Sequence, residues 1–103
     1  MKIILKGRKD VYDATGDYNL ETGEVKVFKN SMVSKDIARS ETFKGSNTIE
    51  KLRKGKIEKN KLKEDMIFKS LSTAANFVTG RSTNGLIAWK TEDGKKMKDI
   101  IKK

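Results

Sequence analysis

The feature that most constrains this chain is how few large apolar side chains it has to fold around. Leu, Ile, Val and Phe together number 24 among 103 residues, while the formal charge at pH 7 is +10. A domain of this size is marginally stable, so nearly all of those side chains must enter one core. The sequence contains no Cys, and hence no disulfide can support that core. We therefore expect a single small domain.

The residue types that are missing also limit the chemistry. With neither His nor Cys, the chain has no Ser–His or Cys–His nucleophile and no imidazole or thiolate metal ligand. Two pairs of acidic residues, Asp13 with Asp17 and Glu64 with Asp65, stand next to no other candidate catalytic group. We predict a protein that is not an enzyme and that holds no metal and no cofactor.

The first six residues contain only three consecutive apolar side chains. This run is too short for a signal peptide or for a membrane span. We therefore expect a cytoplasmic protein without a membrane partner.

Period-two alternation predicts three strands in the first half of the chain. Ile3 and Leu5 alternate with their neighbours, and residues 24–27 alternate strictly with Phe28 following. Between them, residues 11–18 carry Val11, Tyr12, Ala14 and Tyr18 among short polar residues. Three strands joined by short loops predict an antiparallel meander. The polar stretch 29–46 that follows is irregular, and its apolar anchors are Met32, Val33, Ile37 and Phe43.

A first helix is predicted to begin at Asn47, whose side chain can form a capping pair with Glu50. Ile49 and Leu52 share one face of this helix, but the next apolar residues fall on other faces. The helix is therefore expected to end at Gly55.

A second helix is the clearest element in the sequence. Ser70 is a good N-cap, and Gly80 can end the helix. Apolar residues recur between them at i, i+3, i+4 and i+7, namely Leu71, Ala74, Ala75 and Val78. Upstream, residues 56–63 are predicted to form a charged connection, and residues 66–68 either a strand or a close approach to this helix.

The C-terminal part alternates turn signals with short apolar runs. Asn84-Gly85 predicts a turn, residues 86–90 a strand, and Asp93-Gly94 another turn. A small apolar patch on a terminal helix is expected from Met97, Ile100 and Ile101. The predicted fold is α+β: a small antiparallel meander, followed by short helices and a C-terminal strand-turn-helix.

The positive charge is unevenly distributed. Residues 1–47 carry a net charge of +2 and residues 48–103 a net charge of +8. Seven bases lie between residues 51 and 63 against Glu58 alone, and they are Lys51, Arg53, Lys54, Lys56, Lys59, Lys61 and Lys63. Like charges this dense repel one another, which indicates a polyanionic partner. Nucleic acid is the commonest such partner; anionic lipid, an acidic protein surface and simple solubility are the alternatives.

A second candidate region follows the second helix. Arg81 can contact a phosphate or a guanine edge, and Ser82 and Asn84 can hydrogen-bond backbone or base. Trp89 can act as a stacking platform beside Lys90. The structural alternatives are that Arg81 faces the helix dipole, that Asn84 serves the turn, and that Trp89 belongs to the core.

Residues 68–75 and 80–90 resemble the conserved core of a bacterial domain of unknown function often found at the C-terminus of GIY-YIG-type nucleases. That core is similar to the RAMA (restriction enzyme and adenine methylase associated) domain. Both share Ser-x-Ser-x-Ala-Ala followed by Gly-Arg-Ser-x-Asn-Gly-Trp, whereas this chain has Leu86 in place of the Trp and Leu71 where Pro is usual. The resemblance implies a nucleic-acid-related module, which in RAMA-type proteins is proposed to sense modified DNA.

We therefore predict a non-catalytic DNA-binding module in a restriction-modification or nuclease context, which docks through the basic run with the 80–90 motif close by. The alternative is a protein-interaction or inhibitor subunit that docks on an acidic surface, for example of a nuclease or methylase. The sequence does not distinguish DNA from RNA as the ligand, nor a duplex from a single strand. It also leaves the oligomeric state open, since an exposed meander edge permits a dimer.

Overall fold

A computed structural model of the chain describes residues 1–7, 11–35, 37 and 46–101. The elements in chain order are β1 (Lys2–Lys6), β2 (Asp13–Tyr18), β3 (Val25–Val27), α1 (Ser46–Arg53), β4 (Ile57–Glu58), β5 (Lys61–Leu62), β6 (Met66–Phe68), α2 (Leu71–Thr79), α3 (Gly85–Ala88), β7 (Lys90–Thr91) and α4 (Met97–Ile100). An antiparallel five-stranded sheet has the order β6-β3-β2-β1-β7, and β4 and β5 form a separate hairpin. The predicted α+β class is confirmed.

The predicted meander is the centre of the sheet. β1 pairs with β2 and β2 with β3, both antiparallel. The apolar residues that alternate in the sequence lie on one face of the sheet, because Ile3, Leu5, Val25 and Val27 are all buried. Side chains of this inner face meet the helices and form a single core.

Helix α2 matches its prediction at both ends. The Ser70 Oγ accepts a hydrogen bond from the Thr73 N–H at 3.1 Å, and Gly80 ends the helix with a φ of +73°. All four residues of the predicted apolar stripe are buried. Phe77 is buried as well, and its ring lies 4.9 Å from that of Phe68 on β6. The helix therefore packs directly on the sheet.

The prediction of a strand over residues 86–90 is wrong for residues 86–89 and correct only for Lys90. The Asn84 Oδ1 accepts a hydrogen bond from the Leu86 N–H at 3.0 Å and starts α3, so the extended part is only β7. Gly85 makes this turn possible because it packs on the backbone of Leu71, where an added Cβ would lie 2.2 Å from the carbonyl carbon. The turn at Asp93-Gly94 and the terminal helix are confirmed.

Helix α1 begins at Ser46, one residue before the predicted cap, and Gly55 follows it with a φ of +74°. The connection predicted over 56–63 is in fact the β4–β5 hairpin. Lys59 and Asn60 form its tip with φ values of +51° and +65°, as a two-residue type I′ turn requires. Among the anchors predicted in 29–46, Val33 is buried and Ile37 packs on the core, whereas Phe43 lies outside the described residues. Every helix in the described ranges is too short or too polar to cross a membrane.

Candidate nucleic-acid interface

The segment from residue 30 to residue 34 joins the sheet to the hairpin. On one side the backbone of Met32 exchanges two hydrogen bonds with Asp13, at 2.9 and 2.8 Å. On the other side the Leu62 N–H donates to the Ser31 carbonyl and the Val33 N–H to the Asn60 carbonyl, each at 2.8 Å. The hairpin, and the lysines that it carries, are thus held against the end of the main sheet.

Four lysines surround a depression beside the hairpin, which we call the hairpin groove. The groove has a volume of about 340 Å³, its acidic residue is Glu58, and its lysines are Lys29, Lys59, Lys61 and Lys63. All four lysines are exposed, and within the described ranges none of them forms an ion pair. The groove therefore has an excess of positive charge, although Glu58 lines it and the Lys29 N–H donates to the Asp65 Oδ1 at 2.7 Å.

A second basic depression, the Arg81 cavity, lies at the other end of the joining segment. Its volume is about 580 Å³, and Lys6, Lys35, Tyr12 and Arg81 are among the residues that line it. The described part of its lining contains no carboxylate. The three bases are exposed, and no ion pair to any of them occurs in the part of the chain that the structure covers. Since Lys29 and Lys35 bound the joining segment, the two depressions are at most about 20 Å apart along the chain.

Arg53 belongs to the predicted basic run but serves the fold. Its Nε donates to the Phe77 carbonyl at 3.0 Å, its Nη2 to the Val78 carbonyl at 3.3 Å, and its Nη1 to the Ser34 carbonyl at 2.8 Å. The guanidinium carbon lies 5.6 Å from the centre of the Phe77 ring. Burial lowers the pKa of Arg53 to about 10, which leaves it charged at neutral pH. The hydrogen-bond donors of Arg53 therefore cap the last carbonyls of α2.

The other bases of the run divide into two groups. Lys56 forms an ion pair with Glu64, and this contact holds the pKa of Glu64 below its usual value. Lys51 and Lys54 are exposed at the end of α1. The predicted run of seven bases is therefore split among a buried cap, an ion pair, the end of α1 and the hairpin groove.

One family description matches the chain over the whole of this arrangement. The family is the Domain of unknown function (DUF4357), and the match covers residues 4–101. The chain belongs to this family. No curated protein and no solved structure matches it. The match includes both basic depressions and the motif that carries the resemblance described above, so all of them lie within the DUF4357 domain.

Most polar groups of that motif are engaged inside the DUF4357 domain. The Ser72 Oγ accepts from the Gly85 N–H at 3.2 Å, and the Asn76 Oδ1 accepts from the Thr83 N–H at 2.8 Å. The indole N–H of Trp89 donates to the Leu71 carbonyl at 3.0 Å. The two halves of the motif thus hold each other in place. Trp89 is fully buried, so the stacking platform considered for it is wrong and its core alternative is correct.

The remaining predicted site residues lie on the surface. Ser82 and Arg81 are exposed, and Asn84 is exposed while its Oδ1 caps α3. Lys90 pairs with Ile4 on the neighbouring strand, and it lines a small cavity of about 240 Å³ together with Lys6. Lys90 therefore lies next to the Arg81 cavity, because Lys6 lines both.

Sequence patterns missed three residues of the two depressions. Lys6, Lys29 and Lys35 stand alone in the sequence, and only backbone pairing between distant segments brings them to the other bases. Leu86, for which the resemblance in the sequence analysis led us to expect Trp, is 39% exposed and lines a cleft of about 600 Å³ with Ser70, Ser72 and Tyr18. Position 86 is thus a surface position. Among the described residues, no cluster of three or more carboxylates could hold a metal ion.

Proposed function

We propose that this DUF4357 domain is a non-catalytic DNA-binding module that docks on the duplex backbone through the hairpin groove and the Arg81 cavity. One observation carries the proposal. Seven bases line these two neighbouring depressions and form no ion pair within the described ranges, and they are Lys6, Lys29, Lys35, Lys59, Lys61, Lys63 and Arg81.

The physical argument is that a polyanion relieves the repulsion among these bases and releases its own counterions. The upper limit of about 20 Å corresponds to roughly six base pairs at 3.4 Å each, which is less than one turn of a duplex. A short duplex is therefore long enough to supply phosphates to both depressions. The resemblance to RAMA-type and nuclease-associated domains supports DNA as the polyanion and a restriction-modification setting, with modified DNA as the preferred target.

The test is fluorescence anisotropy of a labelled duplex of about 20 base pairs between about 50 and 200 mM salt. If most of the seven bases meet phosphates, the slope of log K against log salt is about −5. The variant K59Q/K61Q/K63Q should lower the magnitude of that slope by about 2.7, since each phosphate contact contributes about 0.9.

The matched control is K26Q/K69Q/K98Q, which removes the same charge from exposed lysines that line neither depression, and it should retain the slope. A flat salt response of the wild type, or equal losses in the two triple variants, contradicts the proposal. Equal affinity for methylated and plain duplex removes only the preference for modified DNA. If an acidic protein stays bound after nuclease treatment and the wild type binds no DNA, the partner is a protein and not DNA.

A further inference from the structure

We propose that the Arg81 cavity is a binding site for a phosphate monoester, the dianionic group at the end of a nucleic-acid strand. The inference rests on the proposed function only in its choice of a nucleic-acid end as the source of that group. The hairpin groove, by contrast, contains Glu58 and suits the singly charged phosphates within a strand.

The three bases of the cavity come from three separate segments. Lys6 ends β1, Lys35 follows the joining segment, and Arg81 follows α2. The cavity thus collects positive charge from three segments that are distant in the sequence. A phosphate monoester has three terminal oxygens and a charge of about −1.5 to −2 at pH 7, so it can satisfy three donors, whereas a diester has only two such oxygens and one charge. No carboxylate competes from the described lining.

A further positive charge stands behind the wall of the cavity. Ser34 lines the cavity, and its carbonyl accepts a hydrogen bond from the guanidinium of Arg53 at 2.8 Å. This guanidinium is half-buried, so its field is less screened than that of a surface base. It also covers the carbonyls of Phe77 and Val78, which would otherwise repel an anion from the end of α2.

The frame of the cavity is fixed before any ligand arrives. The backbone of Arg81 is held by the buried Thr79, whose Oγ1 lies 3.1 Å from the Arg81 carbonyl and 3.3 Å from its N–H nitrogen. The Gly7 N–H donates to the Tyr12 carbonyl at 2.9 Å, which holds these two lining residues together. At about 580 Å³ the cavity is as large as common small-molecule sites, so a nucleoside attached to the phosphate also fits.

The experiment compares three internally labelled duplexes of one sequence, which end in a 5′-phosphate, a 3′-phosphate or hydroxyl groups only. We expect about five-fold tighter binding of at least one phosphorylated duplex, as one added charge near three exposed bases would give. R81Q and K35Q should each reduce this preference, whereas K98Q, an equal charge change on α4, should leave it intact. Thermal melting of each variant checks that it is folded.

The pH dependence identifies the group that is recognised. The chain contains no His, and the second pKa of a phosphate monoester is about 6. The preference should therefore shrink between about pH 7.5 and pH 5.5, while binding of the hydroxyl duplex serves as the reference at each pH.

The possible outcomes distinguish a failure of the phosphate site from a failure of the proposed DNA binding. Equal affinity for all three duplexes, together with no stabilisation of the protein by inorganic phosphate, overturns the site but leaves DNA binding standing. Stabilisation by inorganic phosphate that R81Q abolishes, without a preference for phosphorylated ends, supports the site with free phosphate as its source. The same stabilisation without any duplex binding supports the site and overturns the DNA-binding proposal.

Discussion

The motif region, residues 70–89, and the two basic depressions use their polar side chains in opposite ways. In the motif region Ser70, Ser72 and Asn76 accept hydrogen bonds from backbone N–H groups, and Trp89 donates one to a carbonyl. In the depressions the bases project into solvent and form no ion pairs within the described ranges. A distinctive motif can thus serve the fold, whereas lysines outside any distinctive motif remain available to the partner that we propose.

Two arginines show the same contrast on a smaller scale. Arg53 directs its planar guanidinium at three carbonyls and packs on Phe77. Arg81 fixes only its backbone, through Thr79, and leaves its guanidinium exposed. Arg53 stands between Lys51 and Lys54 in the sequence, and Arg81 has no charged neighbour, yet it is Arg53 that is engaged, because carbonyls surround it.

The largest effect is expected at Gly85, where the motif region has no room for a side chain. In G85A the new Cβ would lie 2.2 Å from the Leu71 carbonyl carbon, and α3 must move away from α2. We expect a loss of about 3 kcal/mol or more in the free energy of unfolding, measured with urea through the fluorescence of Trp89. G55A is the control, since φ there is +74° but no atom lies within 4 Å, and it should cost about 1 kcal/mol. Similar losses in the two variants would contradict the tight contact.

The next largest effect is expected when Arg53 is replaced. R53A removes the hydrogen bonds of a charged group and takes away the cap of the Phe77 carbonyl, whereas the Val78 carbonyl keeps the Ser34 N–H at 2.8 Å; the loss should be about 2 to 3 kcal/mol. R53K keeps the charge but not the planar fork, and it should lose most of the same stability. Because the pKa of Arg53 is about 10, the loss should be constant between about pH 6 and pH 8.

DNA binding by R53Q, which removes the charge, decides whether the half-buried guanidinium is also part of the interface. The folded variant should keep the salt slope of the wild type. A slope reduced as much as by one hairpin lysine would place Arg53 on the binding surface.

A smaller effect of opposite sign is expected at the tip of the hairpin. Lys59 has a φ of +51°, a backbone conformation that costs a residue with a side chain about 1 kcal/mol and glycine nothing. After the added entropy cost of glycine, K59G should stabilise the protein by about 0.5 kcal/mol while weakening DNA binding. The control K59Q should weaken binding equally without the gain in stability. A destabilised K59G would show that the tip has another requirement.

The smallest effect is expected from Glu64, whose pKa lies below its usual value because of the contact with Lys56. A carboxylate whose pKa is lowered in the folded state stabilises the protein at pH values above its usual pKa of 4.5. This contribution is lost as the pH falls through the pKa of the folded state. E64Q should therefore unfold like the wild type near neutral pH in high salt and show a shallower loss of stability below pH 4.5. Both side chains are largely exposed, so a steep difference would contradict this assignment.

The sequence predicts the elements whose signals are local. β1, β2, β3 and α2 follow from alternation, from the i, i+3, i+4 stripe and from caps such as Ser70 and Gly80. α3 could not be predicted in this way, because Gly85 is needed for a contact with Leu71 in another element. The hairpin was also missed, since Ile57 and Leu62 are too few to show alternation.

The candidate site was predicted only in part for the same reason. The hairpin lysines and Arg81 stand out as charges in the sequence, but their separation into two depressions depends on the backbone pairing of residues 30–34. The burial of Arg53 depends on the carbonyls of α2, which no spacing along the chain reveals.

The position of β1 within the sheet has a consequence for biosynthesis. This first strand is bordered by β2 on one side and by β7 on the other, and Trp89, the largest fully buried side chain, directly precedes β7. At a ribosomal rate of about 5 to 20 residues per second, the nascent chain spends on the order of ten seconds with one edge of β1 unprotected. During that interval the growing polypeptide is a natural client for chaperones that shield unpaired strands.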